Sequence, residues 1–216
     1  ERFFAEYGEY TDVALIRFAS EIGFYLSFYR FEQKMKERGF SFADPRTLES
    51  PCEEMYARGL YDLALACAGR EVVANDMVLR RDEKFYVLTG PNQGGKTTFA
   101  RSLGQLVYFF MMGLDVPAEA AGIYRFTNIM THFSVEESVE TGRGKLREEL
   151  ERLADIMAAS SRGNSFLFVV INELFTTAAN YDACIMGRRV LEHFLGRECR
   201  GIYVTHLKEL EGADPG

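Results

Sequence analysis

Apolar positions in the first stretch, Thr11 to Arg38, recur in steps of three and four: Val13, Ile16, Ala19, Ile22 and Leu26. That spacing predicts a helix, with Asp12 as its cap and Gly39 as its stop. Phe18, Phe24, Tyr25, Phe28, Tyr29 and Phe31 widen the apolar surface beyond one stripe, so the helix calls for burial on two sides or for a partner. A loop with Pro45 and Pro51 follows. From Leu60 the texture changes to short apolar runs separated by helical periodicity. Candidate strands are 60–66, 72–79, 85–89, 128–133, 166–171 and 202–205, and candidate helices are 96–112, 145–160 and 181–195. Leu146, Leu150, Leu153 and Met157 share one face of the middle helix. Strands alternating with helices predict a layered α/β domain with a mainly parallel sheet flanked by helices. The boundary falls between a helical segment, 1–59, and the α/β domain, 60–216.

One junction in this pattern carries chemistry. Residues 90 to 97 read Gly-Pro-Asn-Gln-Gly-Gly-Lys-Thr, after the apolar run Phe85 to Thr89 and before the helix from Lys96. A glycine-rich loop between strand and helix offers backbone N–H groups to phosphate oxygens, and the helix start adds positive dipole. Gly90, Pro91, Asn92, Gln93, Gly94, Gly95, Lys96, Thr97 and Thr98 are therefore the candidate nucleotide-binding residues. In such a loop Lys96 meets the β- and γ-phosphates and the Thr97 hydroxyl ligates Mg²⁺. The bland alternative is a glycine turn with an incidental lysine. The cofactors this reading calls for are ATP and Mg²⁺.

Composition narrows the context. Hydrophobic residues make up 47% of the 216 and charged residues 26%, as in ordinary globular domains. A net charge of −7 argues against a broad nucleic-acid surface on this stretch. Cys52, Cys67, Cys184 and Cys199 show no C-x-x-C spacing and read as free thiols of a reducing cytoplasm. No signal peptide is visible, and no apolar run reaches the roughly 18 residues of a membrane span. The opening at Glu1, in mid-element and without Met, reads as part of a longer polypeptide.

The run Phe166 to Ile171 is a fully apolar strand of the buried type, ending in Asn172-Glu173. In nucleotide hydrolases such a strand tip faces the Mg²⁺ site with an acidic residue. Here Asn172 holds that place, as a metal-side residue acting through water. Glu173, one position on, can orient and deprotonate an attacking water; the alternative is a solvated loop glutamate. The next strand, Ile202 to Thr205, ends in His206. That histidine is a candidate sensor of the γ-phosphate, the alternative being structural packing. Val72 and Val73 are adenine-contact candidates by position, with no aromatic stack among them.

Together these motifs carry a family resemblance. Val73-Ala-Asn-Asp76, Thr89 to Thr98, Gly113-Leu-Asp-Val-Pro-Ala118, Asn172 to Asp182, Val190-Leu-Glu-His-Phe194 and Thr205-His-Leu-Lys-Glu-Leu210 occur in order. The chain resembles the C-terminal ATPase domain of the MutS family of mismatch-repair proteins, a branch of the ABC-type ATPases. The resemblance implies a P-loop NTPase of ABC type, preceded by a helical lever that joins ATPase to DNA clamp. It implies a homodimer formed on ATP binding, DNA held by other segments, and no membrane. Three departures stand out. The family has aspartate at Asn172. In the stretch from Glu140 to Leu150, which would cap the partner subunit's ATP, hydroxyl residues are replaced by Gly144 and Lys145, while Gly142 and Glu149 are retained. Gly142, Gly144 and Lys145 are thus trans-site candidates, the alternative being a capped helix with a solvated face. Finally, Phe175 to Ala179 lacks the family's Gly-Arg-Gly. The expected activity is a slow ATPase, acting in DNA repair or recombination in the cytoplasm. The alternative is a nucleotide-dependent interaction switch with negligible hydrolysis; another ABC-type ATPase fits the motifs less well.

Overall fold

A computed structural model describes residues 13–49, 53–91, 93–133, 142–163, 165–176 and 178–206, without the side chains of 142–145. Asp12 and Cys52 lie outside the described residues. The chain forms two compact units, the first closing at Phe42 and the second opening at Ala43.

Among the described residues the first unit contains one long helix, α1 (Val13–Glu37). Gly39 ends it at φ 89°, with its N–H on the Lys36 carbonyl at 2.9 Å and that of Phe40 on Met35 at 3.1 Å. Only a residue indifferent to left-handed backbone closes a helix this way without strain. Phe28, Phe31 and Phe42 meet edge-on or tilted, with centroids 6.0–6.4 Å apart. Val13, Ile16, Phe18, Phe24, Tyr25 and Tyr29 are exposed.

The second unit departs from one mainly parallel sheet: among the described residues it has two. β1 (Arg46–Leu48), β2 (Met55–Leu60), β3 (Asn75–Leu79) and β5 (Ala120–Tyr124) form a mixed sheet in the order β1-β5-β2-β3. In it β2 runs antiparallel to both β3 and β5. β4 (Phe85–Leu88), β6 (Asn128–Phe133), β7 (Leu167–Asn172) and β8 (Cys199–Val204) form a wholly parallel sheet in the order β4-β8-β7-β6. Residues up to 59, read from sequence as a helix and a loop with Pro45 and Pro51, also contribute β1 and most of β2 to the first of these sheets.

Two local expectations are corrected. The apolar run 60–66 is not a strand: β2 ends at Leu60, and Asp62 caps a short helix, α2 (Leu63–Cys67), accepting from Ala64 N at 2.9 Å and Leu65 N at 3.3 Å. A short apolar run does not separate strand from helix; the cap does. Within 72–79 only Asn75–Leu79 is strand, because β2 ends opposite Asn75 and leaves Val72 to Ala74 no strand to pair with.

Helices fill the layers. α3 (Lys96–Met111) buries Ala100, Leu103, Leu106 and Val107 between the two sheets, against Met55, Leu79, Phe168 and Val170. The other face of β7, Leu167, Val169 and Ile171, packs on Leu153 and Ile156 of α4 (Gly142–Ser160) and on Val190 and Phe194 of α5 (Asn180–Leu195). Covered on both faces, β7 is apolar from Leu167 to Ile171, and only its tip, Asn172, is polar. Gly201 on β8 is required by close approach: a Cβ there would stand 1.9 Å from the Val169 carbonyl oxygen. Among the described residues no helix is long and apolar enough to cross a membrane.

Candidate functional site

The parallel sheet ends its strands on one edge, where β4 leads into the glycine loop. The Thr205 N–H donates to the Leu88 carbonyl at 3.0 Å and the Glu173 N–H to the Val204 carbonyl at 2.9 Å, so the tips of β4, β8 and β7 lie side by side. Gly90 (φ 143°) and Gly95 (φ 80°) take backbone that favours glycine, and Gln93 (φ 68°) is held there despite its side chain. Gly95 starts α3 with no side-chain cap. The first N–H groups of a helix have no intrahelical acceptor, and an uncapped start presents them as donors to an anion.

Lys96 is only 7% exposed. Its ammonium donates to the carbonyls of Gly90 at 2.7 Å and Pro91 at 2.8 Å. A cation at a helix N-terminus is unfavourable by dipole, and these carbonyls hold it in place. One residue on, the Thr97 hydroxyl donates to Oδ1 of Asn172 at 3.0 Å. This bond joins the loop-helix junction to the tip of β7 across the sheet. Asn172 is 5% exposed, and Glu173, half-buried beside it, has φ 53°. His206 follows Thr205 at the same edge and is exposed.

A cavity of about 630 Å³ opens beside the loop, lined by Gly90, Pro91, Gly94, Gly95, Lys96 and Thr98 on one side and by Leu65, Val73, Asn75 and Asp76 on the other. Val73, 71% exposed, lines it; Val72, half-buried, does not. Sequence reasoning missed Phe99, an aromatic lining residue one turn into α3, whose ring meets Tyr86 edge-on at 6.4 Å. It missed Asp62 as well, at 1% exposed. Besides capping α2, that carboxylate accepts from Arg101 at 2.5 Å and Gln105 at 3.0 Å, fixing one cavity wall to α3. An aspartate directly before Leu-Ala-Leu was the available signal for the cap; the lining by Phe99 had no sequence signal.

The remaining candidates fall elsewhere. Asn92 lies outside the described residues. Gly142, Gly144 and Lys145 begin α4, so the two glycines stand inside its first turn, not ahead of the helix as the sequence suggested. Among the described residues no three His, Cys, Asp or Glu side chains gather as a metal cluster.

A mixed α/β domain with a glycine loop, a buried lysine and a polar strand tip at one sheet edge is thus the class that the fold and site define. The chain belongs to the MutS family: the family profile described as MutS domain V matches residues 86–214. Curated relatives include DNA mismatch repair protein MutS of Fervidobacterium nodosum, 26% identical over 68% of this chain and 18% of that protein. DNA mismatch repair protein MSH6 of Arabidopsis thaliana is 32% identical over 64% of this chain and 10% of that protein. DNA mismatch repair protein MutS of Syntrophomonas wolfei is 31% identical over 64% and 16% respectively. The chain spans less than a fifth of the length of these relatives.

Proposed function

We propose that this chain is the ATP-binding and slowly hydrolysing domain of a MutS-like DNA repair protein, a P-loop NTPase of ABC type. The observation that carries the reading is the Thr97–Asn172 hydrogen bond, which brings the phosphate-loop junction to the strand tip next to Glu173. The phosphates would lie on the loop N–H groups, with Lys96 turning from its carbonyls toward the β- and γ-oxygens. The base would enter the cavity between Val73 and Phe99.

Thr97 Oγ1 and Asn172 Oδ1 are hard oxygen donors that suit Mg²⁺, a cation that keeps several waters and uses few protein ligands. They would hold it directly and through water, and the bound ion would supply charge neutralisation on the phosphates. Glu173 would orient the attacking water and take its proton; His206 would contact the γ-phosphate. Assembly into a homodimer on ATP, with Gly142, Gly144 and Lys145 reaching the partner's nucleotide, and motion of a lever acting on DNA held by other segments, complete the proposal.

A second reading, a nucleotide-dependent interaction switch with negligible hydrolysis, is favoured by the neutral Asn172. Single-turnover hydrolysis of bound ATP by the wild type and Glu173→Gln decides between them. A slow ATPase loses about a hundredfold or more in the variant, the range for removing a general base. Equal rates in the two proteins would mark the switch.

A further inference from the structure

Helix α4 and the turn after β7 are joined by a polar contact set in apolar surroundings. Oε2 of Glu149, about two turns into α4, accepts the backbone N–H of Phe175 at 3.2 Å. Glu149 is 4% exposed and Phe175 2%. Phe175 and its neighbour Leu174 share an apolar cluster with Leu153 and Ile156 of α4. A carboxylate is costly to bury, so its placement calls for a return, and the turn supplies one. Glu173 (φ 53°) and Phe175 (φ 61°) both take left-handed backbone without being glycine. Such backbone persists only where its surroundings over-determine it. Val204 holds the first residue through the Glu173 N–H at 2.9 Å, and Ala178 closes the turn onto the Phe175 carbonyl at 3.0 Å. The Phe175 N–H, between these two, is taken by Glu149. The turn thereby buries Leu174 and Phe175 and leaves Glu173 half-buried beside Asn172.

We propose that Glu149 is a positioning residue for Glu173. Its carboxylate captures the Phe175 N–H, holds the doubly left-handed turn, and so fixes where the Glu173 carboxylate stands relative to Thr97 and Asn172. This rests on the ATPase reading above. Because Glu149 sits on α4, the contact also ties the proposed water-orienting residue to the helix that opens at Gly142. A displacement of that helix by a second subunit would pass directly into the aim of Glu173. Removing the contact should therefore alter hydrolysis and leave nucleotide binding, which belongs to the loop, intact.

Three variants test this, each checked for folding by thermal melting. Glu149→Gln keeps an acceptor oxygen in place, Glu149→Ala removes it, and Glu149→Asp keeps the charge but withdraws it by one methylene. The expected result for Ala and Asp is a single-turnover rate lowered by about tenfold or more, the scale of one charged hydrogen bond. ATP affinity should stay within about twofold, Gln should recover most of the rate, and amide exchange at Phe175 should quicken in Ala and Asp only. If Ala fails to fold, Asp carries the comparison. A folded Ala or Asp variant with the wild-type rate and unchanged Phe175 exchange would overturn the proposal. So would a Gln variant as impaired as Asp. Failure of the ATPase reading is distinguishable, since there the wild type itself either binds no ATP or turns it over no faster than Glu173→Gln.

Discussion

The Thr97 hydroxyl donates to Asn172 Oδ1 at 3.0 Å, and the neutrality of that acceptor sets the rate expected of the site. A carboxylate there would add a full negative charge. At about 4 Å and an effective dielectric near 20, that charge is worth about 4 kcal/mol as an upper bound, or about a thousandfold in rate if all of it acts in the transition state. Asn172→Asp should therefore speed ATP hydrolysis by between about tenfold and that limit, and lower the Mg²⁺ concentration needed for half-maximal rate. A variant unchanged in both would remove Asn172 from the site. The buried Cys199 thiol takes no charge here: burial pushes it up to about 11, which keeps it protonated at neutral pH.

Among the elements, β6 carries a buried histidine whose ionisation is linked to stability. His132 is 1% exposed. Burial, and then the positive charge of Arg152 on α4, lower its pKa from the ordinary 6.5. The unfolded chain binds the proton more readily than the folded one, so stability is fully present above 6.5 and falls as pH drops through the folded value. Urea midpoints measured from pH 7.5 down to about 5.5, a window around the ordinary histidine value, should decline, and less steeply in His132→Gln; parallel declines would contradict this. β7 was legible in the sequence because a strand covered on both faces is a continuous apolar run, here Leu167 to Ile171 before the polar tip. β5 was not, since Ala-Ala-Gly-Ile-Tyr has no period and its pairing with β2 is decided by tertiary contacts. The glycine loop could be read from its letters because they demand a particular backbone. Phe99 could not, because its place beside Val73 exists only once α3 packs between two sheets. Likewise Asn172 and Thr97 were each candidates, but their contact depends on the parallel order that sets β7 beside β8 and β8 beside β4.

At the scale of the whole molecule, the family match covers residues 86–214, which hold the loop, the β7 tip and His206. It does not extend over Val73, Asn75 and Asp76, which line the far side of the cavity. The two halves of the proposed ATP site thus come from different stretches of chain, joined by α3 and the first sheet. A MutS-like role in DNA repair requires first that this cavity take a nucleotide through Lys96. The most direct measurement is ATP binding by titration calorimetry in the presence of Mg²⁺, wild type against Lys96→Ala. Saturable binding by the wild type is expected, with affinity about tenfold or more weaker in the variant, the scale of one charge-assisted contact to phosphate. No binding by the wild type, or equal affinities in the two proteins, would contradict it.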